Sequence, residues 1–170
     1  MSNLVIITGP PGAGKTTTAR LLSARLTPSA HLHADDFWHF IRQGYLPPHL
    51  PESHHQNTIV IQALAAAAAT YATHYQVLCD GIIDPWFLPA FRRPLHYVVL
   101  NPTETTALNR ATSRPAPALT DPAPIRSLHQ QFADLGPLSH HAIDTTDQTP
   151  EETATAVLNA ITAGLHLLNP

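Results

Sequence analysis

The sequence of 170 residues has few charged residues, one cysteine and no long apolar run. A single cysteine, Cys79, excludes an internal disulfide framework and a zinc site built from several cysteines. No apolar stretch approaches the roughly 20 residues that span a bilayer, and the N-terminus lacks the basic and apolar regions of a signal peptide. We therefore expect one cytoplasmic domain over residues 1–170 that does not enter a membrane.

Basic residues are also scarce: the sequence holds nine Lys and Arg, and only one of them is lysine. The formal net charge of −3 provides no basic surface for a nucleic-acid backbone, so we expect no nucleic-acid partner. Proline and histidine are abundant instead, with 17 and 12 copies. Because the chain avoids lysine elsewhere, the position of Lys15 is informative.

Lys15 belongs to a phosphate-binding motif. Residues 9–16 match G-x-x-x-x-G-K-T, the P-loop pattern, in which a tight backbone curl and the following helix N-terminus direct N–H groups at phosphate oxygens. Lys15 then supplies a mobile charge to the β- and γ-phosphates, and Thr16 supplies a hydroxyl to Mg²⁺. The predicted nucleotide-binding residues are Gly9, Pro10, Pro11, Gly12, Ala13, Gly14, Lys15, Thr16, Thr17 and Arg110.

Apolar and helical segments alternate along the chain in the pattern of a parallel α/β fold. Strands are predicted at 4–7, 30–34, 76–79, 95–100 and, weakly, 141–144. Helices are predicted at 17–26, 52–75, 103–113 and 125–135, with a short one at 84–93 and a last one opened by Thr149 as N-cap and Pro150. This order predicts a parallel sheet with helices on both faces and ligands at the C-terminal ends of the strands.

Three aspartates follow predicted strands. Asp80 occupies the Walker B position and is expected to hold Mg²⁺ near the substrate, with a helix cap as the alternative. Phosphoryl transfer to a hydroxyl needs a carboxylate that orients the nucleophile and takes its proton. Because consecutive strand residues point in opposite directions, we favour Asp35 as this base and Asp36 as a substrate contact. An N-cap is the alternative role, above all for Asp36.

Arg110 and Arg114 are four residues apart on a predicted helix, so both leave on one face. The proline-rich loop 115–124 follows them, which suggests a lid over about residues 110–126 that closes on ATP and neutralises transition-state charge. A solvated helix face is the alternative. His31 and His33 share one strand face, but no third ligand is evident, and we interpret them as part of the compositional bias.

These residues resemble the small P-loop kinases, a group that includes shikimate kinase, gluconate kinase, chloramphenicol phosphotransferase, zeta toxins and the kinase domain of polynucleotide kinase. Asp35-Asp36-Phe37 is similar to the acceptor-activating motif of several members, in which the first Asp is the usual base. Arg110 and Arg114 resemble the lid arginines of the group, although the proline-rich lid departs from its pattern.

A closer resemblance is to short bacterial proteins labelled P-loop ATPases or kinase-like. The shared stretches are residues 33–38, 50–57, 80–81 and 131–136, so the resemblance covers nearly the whole chain. It implies a five-stranded sheet in the order 2-3-1-4-5 with helices on both faces and a small lid. It implies no particular substrate.

The acceptor is expected over a substrate-binding insertion at about residues 37–57, which mixes aromatic and hydrogen-bonding side chains suited to a polar, ring-containing alcohol. Candidate substrate contacts are Asp35, Asp36, Trp38, Arg42, Tyr45, His54, Gln56 and Asp80. The sequence thus predicts an ATP- and Mg²⁺-dependent phosphotransferase, a monomer or homodimer, acting on a hydroxyl of a metabolite or antibiotic. The alternatives are a regulatory nucleotide-binding ATPase module and, less favoured, a nucleic-acid end kinase.

Overall fold

The computed structural model describes residues 2–113, 115 and 119–169. The strands are β1 Leu4–Thr8, β2 Ser29–His33, β3 Gln76–Asp80, β4 Leu95–Leu100, β5 Ala142–Ile143 and β6 Leu167–Leu168. The helices are α1 Lys15–Arg25, α2 Ala34–His39, α3 His54–Tyr71, α4 Glu104–Thr112, α5 Pro122–Ala133 and α6 Pro150–Thr162. Short 3₁₀ segments occupy Pro51–Ser53, Pro85–Phe91 and Gly136–His141.

The strands form one sheet in the order β2-β3-β1-β4-β5, and these five are parallel. This confirms the expected order. The sheet has a sixth strand, however, because β6 pairs antiparallel with the N-terminal half of β4, where Leu95 faces Leu168. Two paired residues are too short for a recognisable strand pattern, which is why the sequence predicted five strands.

Side chains of the central strands alternate between two apolar cores, one on each face of the sheet. Leu4 and Ile6 face a core formed with α3, α5 and the segment Pro85–Phe91. Val5 and Ile7 face the opposite core, formed with α1 and α6. All five residues of β1 are buried, as expected for a central parallel strand covered by helices on both faces.

Two predicted boundaries at the ligand-binding edge were wrong. Asp35 and Asp36 do not extend β2 but lie in the first turn of α2, so their side chains are separated by a helical rotation rather than by strand alternation. The predicted loop 115–124 ends earlier, because α5 begins at Pro122 with Asp121 as its N-cap. Proline is well suited to the first helical position, since its missing N–H costs nothing there.

The other helices agree with prediction more closely. The long predicted helix 52–75 is α3, which follows a 3₁₀ turn and ends at Tyr71. Thr149 caps α6 as predicted, and Glu152 completes a reciprocal capping box with it. Among the described helices, none combines the length and hydropathy that crossing a membrane requires.

Candidate active site

The loop between β1 and α1 is packed so closely that two of its positions admit only glycine. Gly12 has φ +84°, and a Cβ built on it would lie 2.0 Å from the carbonyl oxygen of Ala107 in α4. A Cβ on Gly9 would lie 2.1 Å from the carbonyl oxygen of Leu100 at the end of β4. The backbone of the loop therefore sits directly against β4 and α4.

The Lys15 ammonium lies across this loop. Its Nζ donates hydrogen bonds to the carbonyl oxygens of Gly9 at 3.0 Å and Pro10 at 2.9 Å. Lys15 is the first residue of α1, so the ammonium and the helix N-terminus lie at the same end of the helix. Ionised phosphate oxygens are stronger acceptors than these carbonyls, and the arrangement fits a bound polyphosphate.

Asp80 is buried at the end of β3 and is held by three side chains. The Thr16 hydroxyl donates to Oδ2 at 2.5 Å, and His31 Nε2 lies 2.6 Å from Oδ1. His33 Nδ1 lies 3.0 Å from Oδ1 and 3.1 Å from Oδ2. Burial acts to raise the pKa of Asp80, but these hydrogen bonds outweigh it and lower the pKa well below its ordinary value. Asp80 is therefore an ionised, fully oriented carboxylate.

The two histidines were missed as members of the site. They belong to β2, which pairs in parallel with β3 so that His33 faces Asp80 in the register. Two histidines at i and i+2 point to the same side of a strand. The expected strand order 2-3-1-4-5 already makes the strand that ends in Asp80 the neighbour of β2. Combined with the shared face of the two histidines, that order was the signal that could have found them.

Thr16 and Asp80 together offer the oxygen ligands that suit Mg²⁺. A hydroxyl and a carboxylate oxygen at hydrogen-bond distance, next to the phosphate loop, match the hard donor set that the ion prefers. No cluster of three or more His, Cys, Asp or Glu that could hold a metal occurs among the described residues. The site thus fits an ion that takes its remaining ligands from nucleotide phosphates and water.

A cleft of about 770 Å³ opens beside this cluster, between α2, the start of α3 and the segment that follows β3. Asp35 lines the cleft, and its Oδ2 lies 3.6 Å from His33 Nε2. The hydrogen bond to Asp80 raises the pKa of His33 against the effect of burial, and the charge of Asp35 acts in the same direction. Asp36 is exposed and is not among the residues that line the cleft. Asp35 thus connects the cleft to the side chains around Asp80, beside the phosphate loop.

The other predicted substrate contacts divide into two groups. Trp38, Tyr45 and His54 line the cleft, and burial raises the pKa of the Tyr45 hydroxyl, assisted by the charge of Asp35. Arg42 and Gln56 do not line it. The Gln56 amide instead accepts from the backbone N–H of Leu46 at 2.8 Å and donates to its carbonyl at 2.7 Å, so it fixes the neighbouring loop.

Trp38 is largely buried and donates its indole N–H to Asn57 at 2.9 Å. Asn57 in turn donates to the carbonyl oxygen of Pro48 at 2.8 Å. These bonds fix one wall of the cleft to the first turns of α3.

The Arg110 side chain is held by the loop that follows β5. Its guanidinium donates to the carbonyl oxygens of Thr145, at 3.4 Å, and Thr146, at 3.2 Å, in the loop that follows β5. Arg126 forms an ion pair with Glu104 at 3.4 Å on exposed helix surfaces. Arg114, the second predicted lid arginine, lies outside the described residues. Within the range 110–126, the structure describes the end of α4, the start of α5 and residues 119–121, which line the cleft.

A glycine-rich loop between a buried central strand and a helix, with an aspartate at the end of the neighbouring strand, defines a P-loop nucleotide-binding protein. A family profile described as AAA domain matches residues 5–121, and the chain belongs to that family. No curated protein matches the chain in sequence.

Solved structures share the fold over nearly the whole chain. A tunicamycin resistance protein of Deinococcus radiodurans is similar at 21% identity and TM-score 0.71, with 100% of both chains covered. A sugar kinase of Janibacter sp. HTCC2649 is similar at 18% identity and TM-score 0.69, with 95% of both chains covered. Shikimate kinase of Acinetobacter baumannii in complex with shikimate is similar at 20% identity and TM-score 0.67, covering 94% of this chain and 93% of its own. The chain has the fold of the small P-loop kinases.

Proposed function

We propose that the protein transfers the γ-phosphoryl group of ATP to a hydroxyl group of a small molecule, with Mg²⁺. The observation that carries the proposal is the position of Asp35. Its carboxylate lines the cleft, and His33 lies between it and the Asp80 cluster beside the phosphate loop. An acceptor in the cleft and a nucleotide on the loop would meet at this carboxylate.

The residues divide the chemistry between them. The loop amides and Lys15 would hold the phosphates, and Thr16 and Asp80 would hold Mg²⁺, which neutralises phosphate charge when bound. The acceptor oxygen forms a bond to the γ-phosphorus as the bond from that phosphorus to the β–γ bridging oxygen breaks, and ADP leaves. The acceptor proton passes to Asp35, whose exposed carboxylate is accessible from the cleft.

The cleft supports a small-molecule acceptor. Its volume of about 770 Å³ lies in the range of small-ligand pockets, and its walls combine aromatic rings with a few polar groups. The solved structures of similar fold include a sugar kinase, a tunicamycin resistance protein and a shikimate kinase with shikimate bound. They support a hydroxylated metabolite or antibiotic as the acceptor class.

Arg110, held against residues 145 and 146, is then a candidate for shaping the nucleotide site rather than for covering it.

The test is an ADP-release assay with ATP and Mg²⁺ across sugars, polyols, nucleosides, amino alcohols and hydroxylated antibiotics. Asp35→Asn is compared with Asp36→Asn, a matched change one residue away that does not touch the cleft. We expect one acceptor class to stimulate release, Asp35→Asn to lose about 10²-fold or more of that stimulation, and Asp36→Asn to keep it.

Two results would contradict the proposal. Equal stimulation in Asp35→Asn and wild type would remove the base from the mechanism. Tight ATP binding without stimulation by any acceptor would favour the regulatory ATPase module.

A further inference from the structure

Asp84 is a buried carboxylate that the proposed chemistry does not use. It precedes the 3₁₀ segment Pro85–Phe91, is only 5% exposed and lines the same cleft as Asp35. Its Oδ1 is buried and has no hydrogen-bond partner among the described residues. Its side chain does not cap the 3₁₀ segment that it precedes. A carboxylate with an unpaired buried oxygen costs folding free energy. Its presence in a cleft wall therefore points to a ligand that compensates the charge where the side chain lines the cleft.

The lining of the cleft is acidic. Its described lining includes three carboxylates, Asp35, Asp84 and Asp121, but neither lysine nor arginine. The basic groups of the described lining are three histidines, His39, His49 and His54. An acceptor with its own carboxylate or phosphate would therefore meet like charges in a site of reduced dielectric, whereas an ammonium group would be attracted.

Aromatic side chains adjoin Asp84 along the chain. Trp86 is 56% exposed and Phe87 lies beside it, with their ring centroids 5.9 Å apart, and both line the cleft. Phe87 also stacks with His54 at a centroid distance of 6.1 Å. Aromatic faces attract cations and cover the apolar faces of rings. The wall next to Asp84 thus combines a hydrogen-bond acceptor with surfaces suited to a cyclic or aliphatic amine.

We infer that Asp84 is a specificity-determining residue that accepts a hydrogen bond from a second polar group of the acceptor. The preferred acceptors are amino alcohols, followed by uncharged polyols, and acceptors bearing a carboxylate or phosphate bind most weakly. The inference deepens the proposed function and rests on it for the identity of the ligand as a phosphoryl acceptor. The selectivity of binding is measurable without phosphoryl transfer.

The test measures binding of three probes with one ring: trans-2-aminocyclohexanol, trans-1,2-cyclohexanediol and trans-2-hydroxycyclohexanecarboxylate. Their dissociation constants are measured by ligand-observed NMR on the full chain with Mg²⁺ and ADP near neutral pH. We expect the amine to bind most tightly and the carboxylate at least tenfold more weakly than the amine. In Asp84→Asn the amine should lose about tenfold or more in affinity, because the charged acceptor of its hydrogen bond is gone.

Asp121→Asn is the matched control, since it removes a cleft carboxylate that is exposed and keeps a residue suited to capping α5. It should retain the preference for the amine. If Asp84→Asn does not fold, the relative affinities of the three probes for the wild-type protein still test the inference. Equal or tighter binding of the carboxylate, or no binding of any probe, would overturn the inference.

The failure of this inference and that of the proposed function are distinguishable. Amine-selective binding lost in Asp84→Asn, without ADP release from any hydroxyl compound, supports the selectivity and counts against phosphoryl transfer. The opposite outcome is that shikimate or another carboxylate stimulates ADP release as strongly as amino alcohols do. That result would support phosphoryl transfer and overturn the role of Asp84.

Discussion

His31 and Asp80 form a 2.6 Å contact between neighbouring strands, from Nε2 of the ring to Oδ1 of the carboxylate. Asp80 has no proton to donate because its pKa is lowered, so the histidine must donate. The Thr16 hydroxyl approaches the other carboxylate oxygen from the phosphate loop. The orientation of Asp80 is therefore fixed from both sides, and β2 takes part in this cluster through its histidine side chains.

The first prediction concerns this contact. His31→Ala should lower the free energy of unfolding by about 1–3 kcal/mol, because a buried carboxylate loses a charged hydrogen bond. Urea unfolding in the absence of nucleotide measures the loss. His74→Ala, at an exposed turn, is the control and should change stability by no more than about 0.5 kcal/mol.

A double-mutant cycle assigns that loss to the pair. His31→Ala and Asp80→Asn should be coupled by about 1 kcal/mol or more, since each removes the same interaction. Additive effects would mean that His31 stabilises the fold by packing alone.

The second prediction separates two glycines of the phosphate loop. Gly12→Ala places a Cβ within 2.0 Å of the Ala107 carbonyl oxygen and should force α4 away from the loop. At Gly14, φ is +89° but nothing lies within 4 Å of an added Cβ, so Gly14→Ala carries only backbone strain of about 1–2 kcal/mol. Urea unfolding without nucleotide should show a clearly larger loss for Gly12→Ala, and equal losses would contradict the packing argument.

The fold was predictable wherever local chemistry and pattern agreed. The Lys15 motif after an apolar strand and the Thr149 cap both lie as expected, because each depends on residues close in sequence. The start of α2 was not predictable in this way. His33 to Asp36 pass from strand to helix without glycine or proline between them, so no local breaker marks the boundary.

The candidate site was less predictable than the fold, since its members meet only through strand pairing. Asp84 reads as an ordinary turn aspartate before proline, and its burial follows from packing that one sequence does not reveal. Gln56 has the residue type of a substrate contact, yet both ends of its amide hold the backbone of Leu46. Residue type alone does not distinguish a ligand contact from a support for the loop that forms the cleft.

The third prediction follows from the burial of Asp84, which raises its pKa from 3.8 to about 6. Because the folded-state pKa lies above the unfolded value, the protonated carboxyl group of Asp84 stabilises the fold. This contribution is fully present below pH 3.8 and is lost as pH rises through about 6. Asp84→Asn does not lose stability in this way, because its amide does not ionise. Relative to wild type, its free energy of unfolding should therefore rise by up to about 3 kcal/mol between acid and neutral pH.

Urea unfolding at several pH values tests this, with Asp121→Asn as the exposed cleft control. A difference between Asp84→Asn and wild type that stays constant from acid to neutral pH would show that Asp84 does not change charge in this range. It would leave the folded-state pKa near its ordinary value.

The last prediction concerns a histidine cluster at the opposite end of β4. His166 precedes β6 and is buried, with its ring centroid 5.6 Å from that of His141. Burial lowers the pKa of His166 from 6.5 to about 4, and the charges of His141, His140 and His96 act in the same direction. Stability from the neutral ring is thus fully present above pH 6.5 and is lost as pH falls toward about 4.

His166→Leu should weaken the acid destabilisation of the protein without abolishing it, because burial lowers the pKa of His96 and His141 as well. Thermal unfolding at neutral pH and at about pH 5 measures the effect, and His74→Leu is the exposed control. The variant should lose less stability on acidification than wild type or the control, since it has no ring to protonate beside β6. An identical acid response in all three proteins would show that protonation of His166 does not contribute to the acid destabilisation.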